Sequence, residues 1–432
     1  MAARLLSYFL KEVTMKKRIV ILLLIILVFG FGCKHEQEIK ETQITTDWCD
    51  DDTKANVDFL VYSSGSFNLY YLPGTAAERD REDILDKRNS ALVYISETLE
   101  IQQGRIIDIY MSPNRLCAAA HHVHSGQAFP WKAEIQVLYM DYPQTYERIH
   151  YGHEVTHVAA YNIDYDHIYH FRIIEEGLAE FFDRSGRNYH QVFVQECFAY
   201  KLDLETAIQL NEDDVLCKSY AKAASFIQNL FEISPDADKF KAFNNGCYMF
   251  YSWDETPLGP DNQYLNAQKL NQFIDSQLGE HYGITLNQFN NLWLTKLTPL
   301  AANGPIYLPA GDINEIQQLF AIRDQAISEG SPELYRSTME GFYCDILTDR
   351  ERMSIAEHAT YELPPVKSNL IEVFDLGIRN YPYALAYFEK NVNGNTETFK
   401  AYLERYAVGW RFTYVEDEPG KAYRQSILTR YR

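Results

Sequence analysis

No two of the chain's 7 cysteines stand at CxxC spacing, which argues against a cysteine-bound zinc cluster. Positive charge is scarce: 40 Lys and Arg face 60 Asp and Glu, a net of −20. That balance argues against a nucleic-acid backbone or an anionic membrane surface as the main partner. No apolar run reaches the roughly 20 residues that cross a bilayer; the longest, Ile19 to Gly32, has 14. Internal repeats are absent too. The acidic stretch Asn211 to Asp214 lacks EF-hand spacing and reads as a solvated turn rather than a calcium loop. What remains is ample for packed cores, with 46% apolar and 14% aromatic residues over 432 positions. That length points to two domains and a leader.

The leader is readable. A basic "MKKR" at Met15 to Arg18 precedes the apolar run, and Cys33 follows Gly32. Basic cluster, short apolar core and small residue match a signal peptide. The Gly32–Cys33 junction resembles the lipobox of bacterial lipoproteins, which implies that Cys33 carries a lipid anchor in the membrane and that the rest lies outside the cytoplasm. Residues 1–32 are then signal peptide and extension, and polar residues 33–56 a tether. The other six cysteines permit disulfides in that compartment, and sequence does not choose their pairing.

Beyond the tether, "FNLYYLPG" and "GRIIDIYMSP" read as strands flanking a helical run from Glu78 to Ile101. Ala133 to Asp141 alternates as a strand with one exposed face, an edge suited to pairing with an extended peptide. From Phe171 the pattern is helical: Phe171 to Asp183, Leu204 to Leu210, Tyr220 to Ile233, Ala267 to Leu278 and Leu286 to Leu297. Pro and Gly between Leu297 and Gly311 mark a boundary near residue 304. A helix capped by Asp312 and stopped at Gly330 comes next, then four β-rich runs forming an antiparallel meander. The fold class expected is α+β for both parts, 57–304 and 305–432.

The chemistry concentrates in "HEVTH", His153 to His157. On a helix, i and i+4 share a face, so both imidazoles aim at one point. Glu154 lies one position round the turn, where it reaches a metal-activated water as a base. A catalytic zinc needs a third protein ligand. "RIIEEGLAEFFD" supplies Glu176, 18 residues beyond His157, and Glu180 one turn later, placed to accept the free ring N–H of a ligand histidine. In this reading Glu175 is the solvated neighbour. His121, His122 and His124 form a loop without a carboxylate at ligand spacing, so a solvated loop is preferred to a second metal site.

"HEVTH", the 18-residue spacer and "EEGLAEFF" resemble the gluzincin metallopeptidases, over about Phe59 to Leu300. The resemblance implies one catalytic Zn2+ on His153, His157 and Glu176, with Glu154 as general base. It also implies a mixed N-terminal sheet, a helical subdomain and a peptide or protein substrate. "SYAKAASFIQNLFE" resembles the Tyr-x-Lys-Gly-Ala segment of the aminopeptidase N-like branch, which makes Tyr220 the donor to the oxyanion; Tyr248 and Tyr251 are rivals. The G-x-M-E-N segment that holds a free N-terminus in true aminopeptidases is absent, so an endopeptidase, or a peptidase of no fixed end preference, is expected. Residues 305–432 resemble the NTF2-like cone through "INEIQQLFAIRDQAISEGSPELY" and "GWRFTYVED", and read as an accessory domain. The alternative is a non-catalytic surface binding protein on a peptidase scaffold.

Overall fold

Period-two burial builds the first sheet. Strands β1 (Leu60–Ser64) and β2 (Phe67–Tyr71) form an antiparallel hairpin, and β3 (Ile107–Ser112) runs parallel to β2. Phe67, Leu69, Ile107, Ile109 and Met111 point to one face and are fully buried. The parallel crossover is helix α1 (Ala76–Leu99), capped by the Thr75 side chain, which accepts from the Glu78 N–H. Its Ile84, Leu85, Leu92, Ile95 and Leu99 recur at helical spacing and close that face.

The computed structural model describes residues 59–112, 126–139, 151–163, 169–183, 187–216, 219–252, 256–339, 349–376, 383–392, 394–406 and 409–417. All fall in one compact unit, Asp47–Arg432. The signal segment, Cys33, the tether and the histidines at 121, 122 and 124 lie outside the described residues. Among those described, no helix is long and apolar enough to cross a membrane, and Cys197 and Cys247 are free and buried.

The expected edge strand over Ala133 to Asp141 is not at the edge. Strand β5 (Glu134–Leu138) pairs parallel with β3 on one side and antiparallel with β4 (Gly126–Phe129) on the other, giving the order β1-β2-β3-β5-β4. The run Ile135, Gln136, Val137, Leu138 is buried throughout, as an inner strand covered on both faces should be. The edge belongs to the shorter, half-buried β4.

Helices follow: α2 (His153–Ala160), α3 (Arg172–Asp183), α4 (Tyr189–Ala199), α5 (Tyr220–Ile233), α6 (Ala237–Gly246), α7 (Ala267–Tyr282) and α8 (Leu286–Ala301). Short strands β6 (Tyr169–His170), β7 (Tyr248–Tyr251) and β8 (Pro257–Leu258) form a small sheet beside them. The "NEDD" stretch is solvated at Asn211, Glu212 and Asp213, but Asn211 and Asp214 close a capping box and Asp214 is buried against Lys222 at 2.8 Å.

In the last part, α9 (Ala310–Glu329), α10 (Pro332–Arg336) and α11 (Asp349–Glu362) precede strands β9 (Asn369–Asp375), β10 (Tyr383–Val392), β11 (Asn395–Tyr406) and β12 (Gly409–Val415). The sheet is antiparallel in the order β12-β11-β10-β9. Gly330 ends α9 at φ +61°, as expected, but Asp312 is not its cap. The helix starts two residues earlier, behind Pro309. The Asp312 carboxylate instead accepts from Arg405 at 2.7 Å and Trp410 Nε1 at 3.1 Å, tying helix to sheet.

Ala384, Ala386, Phe388, Leu403 and Phe412 pack with Ile316 and Phe320 of α9, while Phe374, Leu385 and Tyr387 join the core of the first part. Gln195 of α4 donates to the carbonyls of Ile306 and Asp375 at 2.6 and 2.7 Å, and the Tyr387 hydroxyl donates to the Ala199 carbonyl at 2.8 Å. The fold class is α+β.

Candidate metal centre

Two glycines set how closely the site helices approach. A Cβ on Gly152, at the N-cap of α2, would lie 2.7 Å from the Phe182 carbonyl oxygen and 2.8 Å from that of Asp183. The Gly152 N–H donates to Asp183 Oδ1 at 3.2 Å, so the start of α2 is fixed to the end of α3. A Cβ on Gly177 would lie 2.6 Å from the Ala223 carbonyl oxygen, so α3 and α5 touch backbone to backbone there. The Tyr189 hydroxyl also donates to the Glu180 carbonyl, bracing α3 against α4.

Within that frame α2 presents His153 and His157 to α3, while Val155, Val158 and Ala159 enter the core. His153 Nε2 lies 3.4 Å and His157 Nε2 3.5 Å from Glu176 Oε2. One donor atom from each of the three residues falls within 4.8 Å of the others. Two imidazole nitrogens and one carboxylate oxygen within this distance are a donor set that fits a zinc ion. His153 turns its other nitrogen, Nδ1, towards Glu180 Oε2 at 3.6 Å, and Glu180 is only 1% exposed. That is the position of a carboxylate orienting a ligand ring.

Glu175 corrects the sequence reading. Its side chain is only part-exposed and turns inward: Oε1 lies 4.0 Å from His157 Nδ1, and Oε2 lies 3.5 Å from Arg172 Nη1. Each histidine therefore has one acid in front and another behind. Arg172 also donates to Glu176 Oε1 at 3.2 Å. Its i,i+3 and i,i+4 spacings to Glu175 and Glu176 are those of helical neighbours; what spacing does not show is that Glu175 also faces His157 on another helix.

Burial opposes charge on both rings, yet the bond and charge of Glu176, with Glu180 behind His153, hold both histidines above their ordinary pKa. Glu176 is also penalised by burial, but the histidines pull it well below the carboxylate range. Glu154 differs. Burial pushes its carboxyl up against the opposing pull of both histidines and the buried Arg88. A carboxyl raised in this way, beside the converging donors, suits a general base.

Tyr220, the first residue of α5, has its ring 5.9 Å from that of His153. Tyr251, at the end of β7, has its hydroxyl 3.3 Å from both Nε and Nη2 of Arg172. Tyr248 lies on β7 opposite His170 and rests edge-on against Phe250. The structure thus brings together His153, Glu154, His157, Glu176, Glu180 and Tyr220.

A second constellation looks chemical but is enclosed. Trp293 Nε1 donates to Ser225 Oγ at 2.8 Å, and Ser225 Oγ lies 2.7 Å from His190 Nδ1. Glu232 Oε2, 3.2 Å from His190 Nε2, is an acceptor, so a neutral ring carries its proton on Nε2 and accepts the Ser225 hydroxyl proton at Nδ1. Ser225 is 0% exposed, so this Ser–His–Glu chain braces α4, α5 and α8 and offers no nucleophile. Compared with family models, curated proteins and solved structures, the chain matches none.

Proposed function

We propose that the chain is a zinc-dependent peptidase of the gluzincin type, with residues 57–304 as its catalytic part. The observation that carries this reading is the convergence of His153 Nε2, His157 Nε2 and the Glu176 carboxylate beside buried Glu154. A zinc ion held there supplies Lewis acidity to water and to the scissile carbonyl.

The chain's own residues do the rest. Glu154 takes a proton from water as its oxygen attacks the carbonyl carbon, then delivers it to the amine nitrogen as the C–N bond breaks. Tyr220 donates a hydrogen bond to the developing oxyanion. Glu180 and Glu175 fix the rings of His153 and His157 from behind. Edge strand β4 offers backbone N–H and C=O groups to an extended substrate, which suits an endopeptidase. Cys33 anchors the protein to a membrane by lipid outside the cytoplasm, and residues 305–432 act as an NTF2-like accessory domain.

Metal content of the purified protein, with digestion of a mixed peptide library by wild type and Glu154→Ala, tests this reading. Stoichiometric zinc in both and cleavage by wild type alone are expected. Absence of zinc, or equal cleavage by both, sinks the enzyme; zinc without cleavage of any peptide favours a binding protein on a peptidase scaffold.

A further inference from the structure

Glu176 divides its two oxygens between different partners. Oε2 faces His153 and His157, whereas Oε1 accepts from Arg172 Nη1 at 3.2 Å. The rest of the guanidinium is anchored elsewhere: Nε and Nη2 both point at the Tyr251 hydroxyl, at 3.3 Å each. Tyr251 lies 79 residues along the chain, on a different element, so the arginine is pinned from outside its own helix. We propose that Arg172 is a positioning residue that reserves one oxygen of Glu176 for the metal, and that Tyr251 sets the guanidinium plane that makes this possible. The proposal rests on the reading that His153, His157 and Glu176 hold zinc.

An i,i+4 ion pair on a helix surface contributes little to stability. Two observations set this pair apart. The side chains of Arg172 and Glu176 are only 29% and 14% exposed, so water screens them incompletely. Nη1 also reaches Glu175, so one cation stands between two adjacent carboxylates that face the two rings of the site. Without it, Glu175 and Glu176 repel each other and Glu176 is free to rotate and present both oxygens. A lysine cannot substitute, since a point charge lacks the planar fork that reaches Glu176 and Tyr251 together. Lys87 and Asp83 on α1 supply the contrast: the same i,i+4 spacing with both side chains exposed.

The test measures zinc affinity by chelator competition on the full chain. It uses wild type, R172M, R172K, Y251F, the R172M/Y251F double variant and K87M, with far-ultraviolet circular dichroism as the folding control. R172M is expected to bind zinc about 10–100-fold more weakly, the range for losing a residue that orients a ligand. R172K recovers only part of the loss, Y251F loses less than R172M, and the double variant is no worse than R172M because Tyr251 acts through the arginine. K87M matches wild type. The cobalt-substituted proteins give a second readout: the visible spectrum of R172M departs from wild type as the carboxylate changes its mode of binding. A folded R172M with wild-type affinity and spectrum overturns this inference while leaving the zinc reading intact, and so does full recovery in R172K. A wild type that binds no zinc overturns both.

Discussion

The candidate metal centre and the end of the C-terminal sheet both bury charge, but they balance it differently. Near the C terminus, Asp417 receives Arg323 at 2.6 Å and Lys390 at 2.8 Å, with all three side chains at most 5% exposed. Cation meets anion directly, and the Arg323 guanidinium also lies over Tyr335 and Phe388. At the centre between α2 and α3, by contrast, Glu154, Glu175, Glu176 and Glu180 surround two imidazoles, and the donor atoms of three residues converge on one point. The first cluster sets two cations directly against one carboxylate and ties α9 to the sheet. The second turns two ring nitrogens and a carboxylate oxygen toward one point, an arrangement that a cation can occupy once the ring protons leave. Buried charge by itself therefore says little about function; the direction of its donor atoms says more.

The largest expected effect separates the two clusters by activity. Glu154→Gln keeps a side chain of the same shape but loses the base, and kcat should fall by roughly 10²–10⁴-fold with zinc content unchanged. Peptide turnover beside metal analysis checks this. Asp417→Ala should do the opposite. It strands two buried cations and should cost about 3–5 kcal/mol in denaturant unfolding while zinc affinity stays at the wild-type value. If Asp417→Ala abolished metal binding instead, the two clusters would be one coupled unit and the contrast would fail.

Gly177→Ala comes next. The added methyl would sit 2.6 Å from the Ala223 carbonyl oxygen, so α3 and α5 must separate. Overpacking of this kind costs about 1–3 kcal/mol. Because α3 carries Glu176 and α5 begins with Tyr220, turnover should drop more than stability alone explains, which thermal melts and kinetics on the same preparation would show. Ala223→Gly, on the facing helix, should leave turnover near wild type.

These contrasts also mark what the sequence disclosed. His153, His157, Glu176 and Glu180 were legible because helical periodicity converts spacing into direction, and α2 and α3 are regular helices. Glu175 was not, since its burial depends on where β6 and Arg172 bring their own groups. Helix α4 carries little periodic signal because it is buried on nearly every side, with Tyr189, His190, Phe193, Val194, Gln195, Cys197 and Ala199 all inside. The edge of the first sheet was misplaced for a related reason. An alternating pattern shows that one face is exposed to something, but not whether a neighbouring strand such as β4 closes the rim. Asp312 looked like a cap because caps are local; its partners Arg405 and Trp410 lie about a hundred residues away.

The last prediction concerns protons and has the smallest amplitude. In the metal-free protein His153 and His157 titrate above their ordinary 6.5, so the stability they contribute is fully present below pH 6.5 and fades as pH rises through their folded values. Glu176 titrates below 4.5, so its contribution is present above pH 4.5 and fades as pH falls through its folded value. These three groups together favour the metal-free fold most between those limits, while the raised carboxyls of Glu154 and Glu175 lose stability as pH rises above 4.5 through their folded values. Zinc requires the rings neutral and must displace their protons, so apparent affinity should climb with pH through the histidine range. Calorimetric titration near pH 7 in buffers of different ionisation enthalpy should report release of roughly one to two protons per zinc. Asp417→Asn should release the same number, because its charge partners lie in the other cluster, whereas Glu180→Gln should release fewer by weakening the hold on the His153 proton. Proton release that did not depend on Glu180 would place the control of His153 elsewhere and remove the carboxylate behind the ring from the account of how this site is tuned.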